Sequence, residues 1–433
     1  MSQVSVENVA LENDILTFTI KGSFEERFDK SLINGIRRTL LNDIPTVAFN
    51  VNESNPKKDL IMNENTSSLH NEMIQERISL IPLYLDPDTF HKSYLFQCKI
   101  THDNETPFRF VTSNDFEIYP LNDDLQKRVS DMMDESIELS DLETDTLNDI
   151  LETNDLKNYN LKNPVSQKQK DIIFKPFQYQ NKKHYCLLIE LKNTNTDDIH
   201  QAIHFYGSPT VNTAKTHGRY QAVSCATYSF AINDEVVQAT LTEKLKLDEI
   251  ESDKIDDYKK KFMINESERY YHRDKENEPY IYDFKIKSVH YLDAENLFMR
   301  AIHILIDSLN DIKGGFILLL QEKDSPIEMT IKNESVTIYE LYDCDHTIGS
   351  ILQSHLSRNC IDDKSLLQMC GYKKTHPLEE CIHLICSINH NHKSFQQTDK
   401  IKSQQLIQHL IDEIIVIQTT YKNLLQSCQK AFQ

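Results

Sequence analysis

Sulfur and imidazole side chains crowd one stretch of this 433-residue sequence: Cys381, His383, Cys386, His390 and His392. Thiolate and imidazole are zinc ligands, and four of them in a tetrahedron close a structural site. The run from Cys381 to Ser387 alternates as a strand does, however, which sends Cys381 and His383 to one face and Cys386 to the other. A tetrahedral site would need a loop there. Asp141, Asp145 and Asp149 recur every four residues and share a face if helical, but no glycine is placed to turn a calcium loop, so a solvated face is the simpler reading. His217 and His346 have no serine or cysteine nucleophile pattern around them, and neither a nucleophile elbow nor an HExxH occurs. The sequence therefore offers no catalytic centre. Arg37-Arg38 is a different matter, because guanidinium forks suit bidentate pairing with the carboxylates of a partner.

The eight glycines, at positions 22, 35, 207, 218, 314, 315, 349 and 371, cannot compose a GxGxxG or a P-loop, which removes the phosphate-cradling folds. A formal net charge of −20 repels a polyphosphate on average, so little direct nucleic-acid contact is expected, and basic protein surfaces are the better match. Nine cysteines without a Cys-x-x-Cys, an N-terminus lacking a signal pattern, and longest apolar runs, such as Phe316 to Leu320, far too short to span a bilayer predict reduced thiols inside the cell and no membrane segment. No cofactor is expected.

The elements that carry these residues begin twice in the same way. Asp29-Lys30-Ser31-Leu32-Ile33-Asn34-Gly35-Ile36 and Asp345-His346-Thr347-Ile348-Gly349-Ser350-Ile351-Leu352 each set an acid and a hydroxyl ahead of an amphipathic run, as an N-cap requires. Leu32, Ile36 and Leu40 share one face of the first, and Ile348, Ile351, Leu352 and Leu356 one face of the second. Two related folding units follow. Val4 to Ile20 reads as one or two strands, Val47 to Val51 as another, and Asn71 to Ile78 as a short helix ended by Pro82. Strands are expected at Tyr94 to Ile100, Phe108 to Val111, Tyr185 to Leu191, Cys225 to Ile232 and Tyr280 to Val289. Asn122 to Asn163 is acidic and reads as a solvated helix or a disordered loop, and Thr242 to Glu278 as a charged surface helix. A helix from Ala294 to Ile312 is broken by Gly314-Gly315. Strands at Ile327 to Ile331, Ser335 to Leu341 and Cys381 to Ser387 precede a long terminal helix with Leu406, Leu410, Ile414, Ile417, Tyr421 and Leu424 on one stripe.

Three segments taken in order resemble the N-terminal part of the alpha-like subunits of multisubunit RNA polymerases: Lys30 to Arg38, Ile44-Pro45-Thr46-Val47-Ala48, and His70 to Leu83. Ala214 to Val223 resembles that family's histidine–basic–aromatic motif, and Tyr282 to Ser288 its returning strand. The C-terminal part, through Asp345 to Leu352 and Gly371 to Glu379, resembles the small partner of the alpha-like subunit. The resemblance implies an α+β fold of two dimerisation-type units, 1–83 with 282–320 and 326–433, joined as an intramolecular pseudo-dimer, with a mainly β insert over 84–281. Its interface would comprise Leu32, Ile36, Leu40, Leu305, Ile348, Ile351, Leu352, Leu410, Ile414 and Ile417. The implied role is a non-catalytic platform on which the largest and second-largest polymerase subunits assemble, with small zinc-bearing adaptor subunits as further partners. Arg37, Arg38, Glu76, Arg77, Lys215, His217 and Arg219 would face the second-largest subunit. A single chain carrying both partners matches the arrangement in large DNA viruses of eukaryotes, which implies a viral factory or host nucleus, and the virion, as locations. The cysteine cluster that some relatives carry in the insert is missing. A stand-alone zinc-binding regulator using residues 381–392 is the alternative.

Overall fold

The computed structural model describes residues 4–432 except 24, 26, 52–58, 134–146, 148–149, 152–154, 195–199, 249, 251–253, 290 and 361–364. Asp141, Asp145 and Asp149, with much of the acidic stretch around them, lie outside the described residues. Helices and sheets are mixed, and backbone contacts divide the chain into two units: 1–44 with 223–288 and 293–433, and 45–222 with 289–292.

In the first unit, strands β1 (Ser5–Glu12), β2 (Ile15–Lys21), β13 (Val223–Phe230) and β14 (Ile281–Ser288) form an antiparallel sheet in the order β1-β2-β14-β13. Asn13 and Asp14 both take positive φ between β1 and β2, the conformation of a two-residue type I′ hairpin. The alternation legible at Tyr282, Phe284 and Ile286 turns all three to the interior, where Phe18, Phe284 and Phe298 pack edge and face. A second antiparallel sheet takes β15 (Glu328–Ile331), β16 (Val336–Tyr342), β17 (Leu367–Lys373) and β18 (Cys381–Ile388) in the order β15-β16-β18-β17. Among its described residues this unit has six α-helices: α1 (Lys30–Asn42), α5 (Asp234–Leu247), α6 (Ile255–Asn265), α7 (Ala294–Leu320), α8 (His346–Arg358) and α9 (Asp399–Ala431). Among them α1 packs on α7 and α8, α9 packs on α7 and α8, and α8 lies on β17 and β18.

Helix α7 corrects the sequence expectation, since it runs straight through Gly314-Gly315 to Leu320. Each glycine costs roughly 1 kcal/mol against alanine in a helix interior. Close approach explains the second: a Cβ on Gly315 would stand 2.8 Å from Ile327 Cδ1, while one on Gly314 would meet nothing within 4 Å. The chain after the helix thus folds back over Gly315, and Ser325 Oγ donates to the Gly315 carbonyl.

The second unit holds the remaining ten strands, β3 (Pro45–Ala48) to β12 (Thr210–Thr213), and helices α2 (Asn71–Ser79), α3 (Asp123–Met133) and α4 (Gln167–Phe174) among its described residues. Its four-stranded sheet comprises β4 (Leu60–Asn65), β11 (Ala202–Gly207), β5 (Tyr94–Thr101) and β7 (Glu117–Pro120) in that order. The core gathers Phe49, Phe96, Phe116, Phe174 and Phe205 in edge-on and tilted contacts. Residues 45–83 fall here because β3 pairs with β12, and 223–281 fall in the first unit because β13 pairs with β14; the sequence had grouped both segments the other way.

Candidate functional site

The two helices that open with the matched starts pack on one another. Asp29 caps α1: its Oδ1 accepts from Ser31 N at 2.8 Å and Leu32 N at 3.3 Å, so side-chain oxygen replaces the missing intrahelical acceptor. Its other oxygen, Oδ2, accepts from Ser354 Oγ at 2.6 Å and from the Arg358 guanidinium at 2.5 Å, both on α8. The pattern repeats in reverse. Asp345 caps α8 through Thr347 N at 2.8 Å, and its Oδ2 accepts from Arg38 of α1 at 2.9 Å, while Arg38 Nε donates to Thr347 Oγ1 at 2.8 Å. Each cap is thereby tied to an arginine of the opposite helix, and the two helices cross antiparallel.

Between the caps the seam is apolar. Leu32, Ile36 and Leu40 on α1, Leu305 on α7, Ile348, Ile351 and Leu352 on α8, and Leu410, Ile414 and Ile417 on α9 are all buried. Gly35 sets the closest approach, for a Cβ there would stand 2.8 Å from Ile351 Cδ1 and 3.2 Å from the Tyr421 hydroxyl. That hydroxyl donates to the Leu32 carbonyl at 3.3 Å. Burying each Leu or Ile is worth roughly 1.5–3 kcal/mol, so apolar contact sets the strength of the seam. The aspartates set its register, because sliding one helix by a turn would strand a buried carboxylate.

Electrostatics around Asp29 follow from its depth. Burial pushes the carboxyl up, but the His355 ring, the Arg358 guanidinium and the hydroxyls of Ser31 and Ser354 outweigh it and hold the group below its usual range. His355 is fully buried, and among the described residues neither of its ring nitrogens finds a hydrogen-bond partner. Burial pushes its imidazole down to about 4 against the pull of Asp29, with Arg358 and Arg27 also opposing the proton. Arg27 is itself held by Glu413 of α9 at 3.0 Å. An open groove of about 960 Å³ runs beside the seam, lined by Lys30, Asn34, Tyr228, His346, Ser350 and Tyr372 among others.

The other residues singled out in the sequence are scattered. Arg37 donates to Asn34 on its own helix and is half-buried. Glu76 and Arg77 are exposed on α2, where Arg77 reaches the Leu187 carbonyl at 3.0 Å. Lys215 is exposed, and His217 caps a short turn by accepting from Arg219 N. The Arg219 side chain is only 1 % exposed; it donates to the Phe49 carbonyl at 3.0 Å and lies 3.5 Å from Glu76, so it organises this surface from beneath.

The sulfur–imidazole group does not converge as a set of five. Cys386 turns inward and sits 3.9 Å from Cys370, the His390 ring packs on Phe395, and His392 caps the turn at 393–396. Cys381 and His383 share the outer face of β18, as the alternation predicts, and Glu340 joins them from β16. Sequence reasoning missed Glu340 because its proximity depends on strand register. Among the described residues no helix is long and apolar enough to cross a membrane.

Residues 22–309 match the RNA polymerase Rpb3/Rpb11 dimerisation domain, more than half of the chain, and the chain belongs to that family. It is also similar to the DNA-directed RNA polymerases I and III subunit RPAC1 of Mus musculus, at 34 % identity over 85 residues. That alignment covers 20 % of this chain and 21 % of the mouse protein, so the chain spans about a fifth of the relative's length.

Proposed function

We propose that this chain is a non-catalytic assembly platform of a multisubunit DNA-dependent RNA polymerase, built as a pseudo-dimer from one polypeptide. In this reading the α1 side corresponds to the alpha-like subunit and the α8 side, with α9, to its small partner. The observation that carries it is the reciprocal pairing of Asp29 with Arg358 and of Asp345 with Arg38. Relatives that assemble from two chains need both at sufficient concentration, whereas a covalent link supplies a high effective concentration and fixes a one-to-one ratio. The two largest polymerase subunits, with small zinc-bearing adaptors, are the proposed partners, and Arg37, Glu76, Arg77 and Lys215 are proposed as contacts to the second-largest. A large eukaryotic DNA virus is the proposed source, with the viral factory, host nucleus or virion as the setting.

Co-purification tests this reading. Tagged chain drawn from cells making the whole polymerase set should bring both large subunits with it; recovery of the chain without either would sink the proposal. Because Arg38 also holds α8, contact residues are better probed by Arg37→Glu and Arg77→Glu, which should weaken capture while the unfolding midpoint stays unchanged.

A further inference from the structure

We infer that Glu340, Cys381 and His383 form a zinc site on the outer face of the second sheet. One ligand atom from each lies within 4.8 Å of the other two. Strand register produces the cluster. Glu340 of β16 is directly opposite His383 of β18, and Cys381 is two residues before His383, on the same face. The alternate residues Leu341, Ile382 and Leu384 are buried beneath, so the backbone that carries the three ligands is fixed by core packing.

Zinc–nitrogen and zinc–sulfur bonds of roughly 2.0–2.3 Å place tetrahedral ligand atoms about 3–4 Å apart. His383 Nε2 and Glu340 Oε1 already stand at 3.7 Å, and the Cys381 thiol lies within 4.8 Å of both side chains' ligand atoms. The environment suits a cation. Glu328 lies across from Glu340 on β15. A thiolate, an imidazole and a carboxylate form a borderline-soft donor set that fits zinc better than magnesium or calcium. Three protein ligands leave the fourth position to water. The Cys381 thiol and its side of the sheet are independent of the helix seam, so the site stands whether or not the assembly role does.

The ion joins β16 to β18, and its binding reads out without partners or polymerase activity. The metal-free full chain is dialysed against zinc, and in parallel titrated with cobalt while sulfur-to-metal charge transfer is followed in the near ultraviolet. One zinc per chain is expected, with charge transfer lost in Cys381→Ser and the affinity lowered at least about tenfold in His383→Ala and Glu340→Gln. His390→Ala and His392→Ala should bind as the parent does. Absence of stoichiometric zinc in the parent overturns the site, as does full binding in a Cys381→Ser/His383→Ala chain. Glu340→Gln, which keeps size and shape, guards against loss through misfolding, and its metal-free unfolding midpoint should equal that of the parent.

Discussion

Arg38 and Asp345 are separated by 307 positions, yet the guanidinium of one lies 2.9 Å from the carboxylate of the other. The same carboxylate caps its own helix, so a local signal and a long-range contact share one side chain. Asp29 repeats the arrangement at greater depth. Side-chain exposure is 7 % for both Asp29 and Arg358, against 33 % and 30 % for Asp345 and Arg38.

That difference in depth predicts unequal costs. Removing Arg358 leaves an uncompensated buried charge, so Arg358→Ala should destabilise by about 3–5 kcal/mol. The screened pair is weaker, and Arg38→Ala should cost about 0.5–1 kcal/mol. Double-mutant cycles by denaturant unfolding measure both couplings. Equal couplings would show that depth does not govern them.

Acid should loosen the first unit through His355. Its folded pKa of about 4 lies below the ordinary value near 6.5, so the unfolded chain takes up the proton first. The associated stability is present above about pH 6.5, declines as pH falls, and is fully lost below about pH 4, a change of up to roughly 3 kcal/mol. Asp29, also held low, adds a loss in the same direction at the acid end. Since neither ring nitrogen has a hydrogen-bond partner among the described residues, His355→Leu should be nearly neutral at pH 7 and should flatten the decline between pH 6.5 and 4. Unfolding midpoints of the two proteins across that range check it.

The paired glycines of α7 should answer oppositely to alanine. Gly314→Ala adds a methyl in open space and should stabilise by about 0.5–1 kcal/mol. Gly315→Ala drives a methyl into Ile327 and should destabilise by about 1–3 kcal/mol, with partial relief from Ile327→Val. Thermal denaturation of the single variants separates the two.

At the seam, Gly35→Ala gains helix propensity but forces Ile351 and the Tyr421 hydroxyl apart, and overpacking of this kind costs about 1–3 kcal/mol. Ile351→Val should restore part of the loss in the double variant. An unchanged midpoint for Gly35→Ala would show that the helices can part without penalty.

Much of the fold was legible because its signals are local. Asp29-Lys30-Ser31 and Asp345-His346-Thr347 announce helix starts by cap chemistry alone, and the apolar spacing of Leu32, Ile36 and Leu40 identifies the buried face. What pairs across distance was not legible. Nothing near Arg358 points to Asp29, and nothing near Glu340 points to Cys381, because register and helix crossing are set by the whole chain. Gly314-Gly315 reads as a break when propensity is judged without the chain that folds over it. Arg219 reads as a surface contact until its burial under Glu76 and Phe49 is seen.

The dual duty of Asp29 makes the chain intolerant of being severed. A cut within 321–327, followed by separation of the pieces, would leave one fragment with an ionised carboxylate missing its guanidinium and the other with an arginine missing its acid. Both fragments would also bare the leucine and isoleucine faces that the crossing conceals. Such pieces invite chaperones and proteases, so a nicked molecule should be cleared before it can occupy a place in a larger complex.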